Sequence, residues 1–371
     1  MSAESPPDRS DAALQPLRAR IDAVDAELLA LLNRRAALAQ QVGALKARSG
    51  APVFRPEREA QVIKALAAAN PGPLAAAGIA SIWREIMSAC RALERSIRVA
   101  YLGPAGTFSE EAALGYFGSS IERLPCPSID EVFRATVAGA ADFGVVPVEN
   151  STEGVVARSL DLFLHTPLTI LGEASLAVRH NLLRRAAGLD GVRAVLAHPQ
   201  ALAQCDQWLG SHLPQVERRP ALSNAEGARQ ASLDPALAAI ASQRAANEYG
   251  LHVVAAAIQD DAHNRTRFVI VADPALHPAP AASGHDCTSL VVSVPNRPGA
   301  VHDMLVPLKL HGVSMTRFES RPARSGQWEY YFYIDVAGHP DEPHVHAALQ
   351  ALHGVCAFYK VLGTYPVDPR G

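Results

Sequence analysis

The short segment NRTRF at positions 264–268 places an amide, a hydroxyl and a guanidinium at the start of an apolar run, VIVAD. Asn264, Thr266 and Arg267 together could bind a polar ligand through hydrogen bonds and charge. Polar residues also commonly cap an ordinary strand at the surface, and this simpler interpretation explains the segment when it is taken alone. The choice between the two interpretations depends on the rest of the chain.

A second group of charged residues lies in an apolar helical stripe near the amino terminus. Seven-residue steps from Ile21 lead through Leu28 to Arg35, so Arg35 lies in the apolar seam of a predicted helix. Lys46 follows eleven residues later, about three turns, on nearly the same face. One such side chain could extend to solvent. Two on one stripe indicate a pocket with charged walls.

Further charged residues approach the same predicted helical bundle. Arg58 and Glu59 open a second helix, and Glu94 continues the apolar series 83, 87 and 90 of a third helix. Because a buried charge needs a partner, these cations and carboxyls suggest a pocket for a dianionic ligand.

The first helix is too long to be covered by its two neighbours. It spans roughly 50 Å at 1.5 Å per residue. Arg18 and Arg35 stand 17 residues apart, which is about 25 Å along the axis, so one small ligand cannot touch both within one chain. We therefore expect a second copy, in a homodimer, to complete the bundle.

The segments that position these residues fall into three zones. Residues 11–95 contain helix formers interrupted at SGAPVFRP and NPGP, which predicts an all-α unit of three helices. Residues 97–273 alternate apolar β-runs with helical stretches, which predicts parallel sheets covered by helices. After the linker PALHPAPAASGHD, residues 287–365 predict the ferredoxin-like order strand, helix, strand, strand, helix, strand.

Composition limits the classes of protein to which the chain can belong. The 371 residues allow two or three domains, and a net charge of −3 argues against nucleic acid as a partner. No apolar run suits a membrane span and the amino terminus lacks a signal-peptide core, so we expect a cytoplasmic protein. Five scattered cysteines and no HExxH motif predict reduced thiols, with no metal and no cofactor.

The helical zone resembles the all-helical chorismate mutase family. The segments that carry the resemblance are LRARIDAVDAELLALLNRRAALAQQVGALK, PEREAQV and IMSACRALE. In that family an arginine of the partner chain completes the pocket, and the resemblance gives this place to Arg18. It implies that Arg18 and Arg35 hold the two carboxylates of chorismate and that Lys46 contacts the ether oxygen. Arg58 and Glu59 would hold the substrate's carboxylate and hydroxyl.

Two positions depart from the best-known bacterial pattern of this family. Glu94 stands where the family often has glutamine, and a carboxylate could not donate a hydrogen bond to the ether oxygen. We therefore expect the apolar neighbours on the third helix to keep Glu94 protonated. Arg55 stands where an acidic residue can occur, and the sequence assigns it no role.

The middle zone resembles prephenate dehydratase. Its segments GPAGTFSEEAA, VPVENSTEG, HPQALAQC and NRTRFVIV occur in that order. The family has two α/β lobes with the site in the cleft between them, similar to periplasmic binding proteins. The resemblance makes Thr266 the hydroxyl that assists departure of prephenate's ring hydroxyl while carbon dioxide is lost. Because threonine is a very poor acid, it must act as an oriented hydrogen-bond donor.

The matching motifs add further residues to the predicted dehydratase cleft: Thr107, Asn150, Ser151, Thr152, Arg267 and Phe268. In a regular strand Thr266 and Phe268 face one side and Arg267 faces the other. Arg267 therefore reaches a substrate carboxylate only if the start of the strand is distorted.

The third zone resembles the ACT domain of bacterial dehydratases, on the loops NRPGAV and FESRP and the βαββαβ order. Turn chemistry alone could explain each loop. In the family these two loops bind phenylalanine between subunits, which implies feedback inhibition by the end product of the pathway. The implied binding residues are Asn296, Pro298, Gly299, Ala300, Val301, Glu319, Ser320 and Arg321.

Together the resemblances imply a bifunctional chorismate mutase/prephenate dehydratase that acts on chorismate and prephenate, responds to phenylalanine and forms a homodimer or a higher oligomer. Two alternatives stay open. A dehydratase that prefers arogenate, the amino analogue of prephenate, would carry the same motifs. A non-enzymatic amino-acid sensor could combine a binding-protein-like cleft with an ACT domain, although Thr266, Arg35 and Lys46 argue against it.

Overall fold

The computed structural model describes residues 9–49, 54–323 and 330–368. Its helical unit contains α1 (Arg9–Ser49), α2 (Pro56–Ala69) and α3 (Ala76–Ala92). Pro56 suits the first turn of α2, because its fixed φ is already helical. The carboxylates of Glu57 and Glu59 in that turn interact favourably with the positive end of the helix dipole. The prediction of three helices is confirmed.

The apolar stripe of α1 is largely uncovered within one chain. Ile21 is 59% exposed, Leu28 50% and Leu31 59%. Isolated exposed aliphatic residues are common, whereas a long contiguous row of them marks a surface used for association.

The middle unit has two lobes that the chain enters in turn. In chain order the first lobe contains β1 (Arg98–Leu102), α4 (Phe108–Phe117), β2 (Glu122–Cys126), α5 (Ile129–Val137), β3 (Phe143–Asn150), β4 (Gly154–Val155), α6 (Ala157–His165) and β5 (Thr169–Ala177). The second lobe contains β6 (Asn181–Arg184), β7 (Ala194–Ala197), α7 (Pro199–Ala203), α8 (Asp206–His212), β8 (Glu217–Pro220), α9 (Asn224–Leu233), β9 (Leu237–Ala241), α10 (Gln243–Tyr249) and β10 (His252–Ala255). Strand β11 (Arg265–Ala272) then returns to the first lobe.

Each lobe is built on one sheet. The order in the first is β2-β1-β3-β11-β5, with β4 paired to β3, and the order in the second is β10-β6-β9-β7-β8. The predicted parallel sheets are therefore only partly correct. Strand β1 is parallel to β2 and β3, but β11 is antiparallel to both β3 and β5. The reason is that β11 comes back from the second lobe and enters the first sheet from the opposite end.

The third unit has the predicted ferredoxin-like order. It consists of β12 (Asp286–Ser293), α11 (Ala300–Leu310), β13 (Met315–Pro322), β14 (Tyr330–Ala337), α12 (Pro343–Val355) and β15 (Phe358–Pro366). Its antiparallel sheet has the order β13-β14-β12-β15. The two helices cover one face, where Leu290, Met304 and Leu352 are buried.

The opposite face of this sheet packs on the first lobe. Val291, Tyr333 and Tyr365 share a core with residues of the first lobe such as Phe163 and Val269. The two backbones approach so closely at Gly363 that an added Cβ would lie 2.1 Å from the Ile170 carbonyl oxygen. The third unit is thus fixed behind the sheet that carries Thr266.

Among the described residues, no helix combines the length and apolar character needed to cross a bilayer.

Candidate functional sites

A cavity of about 420 Å³ lies between the two lobes of the middle unit. Thr266 and Phe268 line it from β11, and Asn150 lines it from the end of β3. The amino-terminal capping residues Thr107 of α4, Ser223 of α9 and Ser242 of α10 also border it. Because helix amino termini carry partial positive charge and free N–H groups, the cleft suits an anionic ligand.

The hydroxyl of Thr266 has a defined hydrogen-bonding role. Asn150 donates a hydrogen bond from Nδ2 to Thr266 Oγ at 2.9 Å and a second from Nδ2 to Asn264 Oδ1 at 2.8 Å. The side-chain oxygen of Asn150 is also occupied, since it accepts from the backbone N–H groups of Thr152 and Glu153. Asn150 is therefore fixed at both ends, and it leaves the proton of the Thr266 hydroxyl available to a molecule in the cleft.

This network continues into the second lobe through Gln204 and His180, which the sequence did not assign to the site. Asn264 donates to Gln204 Oε1 at 3.2 Å, and Gln204 donates to Glu153 at 3.2 Å. His180 Nε2 lies 2.9 Å from the same Gln204 oxygen, and burial lowers the pKa of His180. An acceptor oxygen requires the donor tautomer, so the neutral ring carries its proton on Nε2. Asn264 and Gln204 lay within quoted motifs, whereas no motif marked His180.

Thr107 is more a structural residue than its motif suggested. Its hydroxyl donates to the Leu102 carbonyl at 2.9 Å and accepts from the Glu110 N–H at the start of α4. The side chain therefore caps the helix and fixes the turn before it, while Thr107 borders the cleft.

Three of the predicted dehydratase residues do not enter this cleft. Ser151 and Thr152 are exposed, and Ser151 accepts a hydrogen bond from the Arg265 N–H at 2.9 Å. Arg267 points to the opposite face of β11, where it pairs with Glu173 at 2.7 Å. The structure therefore does not bring Arg267 to this cleft, because Thr266 and Phe268 face the cleft and Arg267, which lies between them in the strand, faces the other side.

The two lobes are also joined by a buried carboxylate. Glu110 of α4 is fully buried and pairs with Arg244 of α10 at 3.1 Å and with Arg123 at 2.6 Å. Burial alone would raise the pKa of Glu110, but hydrogen bonds from Arg244, the Gly106 N–H and Arg123 outweigh burial and lower it. Tyr249 adds a hydrogen bond to the Ala105 carbonyl at 2.8 Å. These contacts hold the lobes together on one side of the cleft.

In the helical unit, Glu59 of α2 lies close to charged residues of α1 and α3. Glu59 pairs with Arg91, which is 6% exposed and also donates to the Phe117 carbonyl of the middle unit. Burial raises the pKa of Glu59, and Arg91, Arg84 and Arg35 oppose this effect. Arg35 is thus close enough to act on Glu59. Arg91 was not anticipated from the sequence.

Glu94 lies directly against α1. A Cβ added at Gly43 would stand 2.6 Å from Glu94 Cγ, so a larger residue there would displace the Glu94 side chain. One carboxyl oxygen of Glu94, Oε2, is buried and has no hydrogen-bond partner among the described residues. Arg18 and Arg58 are exposed, whereas Lys46 is half-buried. Arg55, to which no role was assigned, pairs with Glu57 at 2.7 Å.

The third unit has a smaller cavity of about 220 Å³ beside the start of α11. Four of the predicted phenylalanine-binding residues line it: Asn296, Gly299, Ala300 and Val301. Gly299 has φ +80, in the left-handed region that glycine adopts without strain. Pro298 belongs to the same loop.

The second predicted loop of this unit is not part of that cavity within one chain. Glu319, Ser320 and Arg321 lie on β13, and none of them lines it. Arg321 instead pairs with Asp161 of the first lobe at 3.0 Å. A single chain therefore brings only one of the two predicted loops to the cavity.

Three family descriptions match the chain in succession. Chorismate mutase type II matches residues 17–95, prephenate dehydratase 99–275 and the ACT domain 288–354. The bifunctional chorismate mutase/prephenate dehydratase of Neisseria gonorrhoeae is 48% identical over 96% of this chain and 98% of its own length. That of Pseudomonas aeruginosa is 46% identical over 95% and 97%.

Solved structures resemble the middle and third units. The prephenate dehydratase of Arthrobacter aurescens, in complex with L-Phe, has a TM-score of 0.67 and 34% identity, and covers 73% of this chain and 90% of its own. A structure described as a quorum-quenching acylase, GqqA, has the same TM-score of 0.67 with 30% identity. Because one fold can host different chemistries, the near full-length similarity to the bifunctional enzymes carries the assignment. The chain belongs to the bifunctional chorismate mutase/prephenate dehydratase family.

Proposed function

We propose that the protein converts chorismate to prephenate in its helical unit and prephenate to phenylpyruvate in the cleft of its middle unit, and that phenylalanine inhibits it. The observation that carries the dehydratase part is the Thr266 hydroxyl, held by Asn150 in a cleft bordered by three helix amino termini.

In the dehydratase reaction the ring carboxylate of prephenate leaves as carbon dioxide, and the electrons of the broken carbon–carbon bond shift into the ring. The bond between the ring and its hydroxyl then breaks, and the departing hydroxide takes up a proton to become water. The product ring is aromatic, so the enzyme has mainly to align the leaving groups and stabilise the departing oxygen. Thr266 donates to that oxygen, and the helix amino termini attract the carboxylates.

In the mutase reaction no nucleophile is required, because the rearrangement is concerted. The protein gains rate by holding a compact conformer and by placing cations near the developing negative charge. Arg35 and Lys46 supply those cations, and Glu59 holds the substrate hydroxyl. Glu94, whose carboxyl oxygen Oε2 is buried without a hydrogen-bond partner among the described residues, faces the substrate ether.

We further propose that two chains associate through α1 and that Arg18 of one chain completes the mutase pocket of its partner. The exposed aliphatic stripe of α1 supports this, because a charged pocket next to open aliphatic surface is poorly protected from water. A second contact between chains would bring Glu319 and Ser320 of β13 in one ACT domain to the α11 cavity of another.

The test supplies purified protein with prephenate and, separately, with arogenate. We expect rapid formation of phenylpyruvate from prephenate and a much slower reaction with arogenate, and we expect phenylalanine to suppress the former. A faster reaction with arogenate would show that arogenate, and not prephenate, is the preferred substrate. Binding of phenylalanine without turnover of either compound would favour a non-enzymatic sensor.

A further inference from the structure

Behind the strand that carries Thr266, a network of largely buried charges joins the first lobe to the ACT domain. Arg267 contributes three nitrogens to it. Nε donates to Glu173 at 2.7 Å, Nη1 lies 2.9 Å from Asp335 Oδ2, and Nη2 donates to the Tyr365 hydroxyl at 2.7 Å. Glu173 belongs to the same sheet as Arg267, but Asp335 and Tyr365 belong to the ACT domain.

Asp335 also binds a second arginine that returns to the dehydratase site. Arg317 of β13 donates to Asp335 Oδ2 at 2.8 Å, and its Nη2 lies 2.6 Å from Glu149 Oε2, a charge contact that lacks hydrogen-bond geometry. Glu149 directly precedes Asn150, the residue that donates to Thr266. Asp335 therefore contacts Arg267, the chain neighbour of Thr266, directly. Through Arg317 it also connects to Glu149, the chain neighbour of Asn150.

The position of Asp335 is itself fixed from inside the ACT domain. Ser289 donates to Asp335 Oδ1 at 2.5 Å and lies 2.6 Å from the Tyr365 hydroxyl. Asp335 is 7% exposed, so its charge needs these partners. Asp335 therefore moves together with the ACT sheet, and its displacement would change the contact with Arg267.

We propose that Arg267 and Asp335 are positioning residues of the dehydratase, which set the Thr266–Asn150 pair from behind and transmit the state of the ACT domain to it. This inference rests on the proposed function. Arg267 acts on the reaction through the backbone of Thr266 and does not touch substrate. Arg317 binds the same Asp335 carboxylate and lies on β13, the strand that also carries Glu319 and Ser320. An effector bound at Glu319 and Ser320 can therefore change the position of Arg317, and through Asp335 the position of Arg267.

A positioning role for Arg267 predicts that its substitution lowers kcat and leaves KM nearly unchanged, whereas a substrate-binding role would raise KM. Arg267→Lys keeps a positive charge but loses the three-way contact, because a lysine has no planar fork. We expect a fall in the dehydratase kcat of about tenfold or more, since small misplacement of reacting groups is costly, while the KM for prephenate stays within about twofold.

The critical variant is Asp335→Asn, on an ACT-domain side chain that lies outside the cleft. We expect the same loss of dehydratase kcat. We also expect phenylalanine to bind, measured by calorimetry, while a higher concentration is needed for half-inhibition. The mutase activity of the same chain should stay unchanged and serves as the report of correct folding. Asp341→Asn is the matched control, because Asp341 is an ACT-domain carboxylate that is 79% exposed.

Tyr365→Phe provides a second test that removes a single hydroxyl. It should lower the dehydratase kcat in the same direction by a smaller factor. An Asp335→Asn protein with unchanged dehydratase kcat and unchanged inhibition would overturn the proposal, as would an Arg267→Lys protein that loses only KM. Wild-type protein that forms no phenylpyruvate from prephenate would instead overturn the proposed function, and this inference with it.

Discussion

The hydroxyl of Thr266 is the most exacting test of the dehydratase site, and Thr266→Val removes it with little change in shape. The structure sets the cost to folding. Asn150 Nδ2 loses its 2.9 Å contact to Thr266 but keeps its 2.8 Å bond to Asn264. One amide hydrogen is left unpaired in a half-buried site, so we expect a loss of about 1–3 kcal/mol in the free energy of unfolding.

The cost to catalysis should be larger and should fall on kcat. Removing one preorganised donor from a transition state lowers kcat by about 10²–10³, which corresponds to about 2.7–4 kcal/mol. The assay supplies prephenate and quantifies phenylpyruvate, and the chorismate mutase rate of the same sample provides the internal control. Thr266→Ser keeps the hydroxyl and should retain most of the activity. If Thr266→Val kept more than a tenth of the wild-type kcat, Thr266 could not be the donor to the departing oxygen.

Three further predictions concern other parts of the chain. Leu28→Glu places a charge in the exposed stripe of α1, so sedimentation should show dissociated chains. In activity assays this variant should lose the mutase reaction and retain the dehydratase reaction, and a monomer with mutase activity would contradict this. Arg91→Met removes the arginine that pairs with the largely buried Glu59 carboxyl, and this variant should melt at a lower temperature than the double variant Glu59→Gln/Arg91→Met. The pKa of Glu110 is lowered, so its stabilisation is complete above the ordinary pKa of a glutamate and is lost as the pH falls through the folded-state pKa. The melting-temperature difference between wild type and Glu110→Gln should shrink in that acid range, and a constant difference would refute it.

Local sequence signals predicted the parts of the fold that depend on neighbours in the chain. Periodicity predicted three helices within residues 11–95, which the structure places between residues 9 and 92, and the order of apolar runs predicted the ferredoxin-like third unit. Strand alternation also indicated that Thr266 and Phe268 face one side of β11 and Arg267 the other. The direction of β11 could not be obtained this way, because it depends on where the chain goes between β5 and β11.

The candidate sites show the same division. Motifs identified Asn150 and Thr266, whose hydrogen bond then appears in the structure. The sequence did not identify Arg91, because no motif marks it. Its contacts with Glu59 and the Phe117 carbonyl arise only from the packing of the folded chain. The partners of Arg267 in the ACT domain were equally hidden, since Asp335 and Tyr365 are interior strand residues without a motif.

The central claim is that one chain carries both reactions under the control of phenylalanine. It is tested most directly by giving the purified protein chorismate, with and without phenylalanine, and quantifying prephenate and phenylpyruvate over time. We predict that chorismate is consumed, that phenylpyruvate accumulates, and that phenylalanine suppresses this accumulation. Chorismate that remains unconsumed would contradict the mutase assignment, and prephenate that accumulates without phenylpyruvate would contradict the dehydratase assignment.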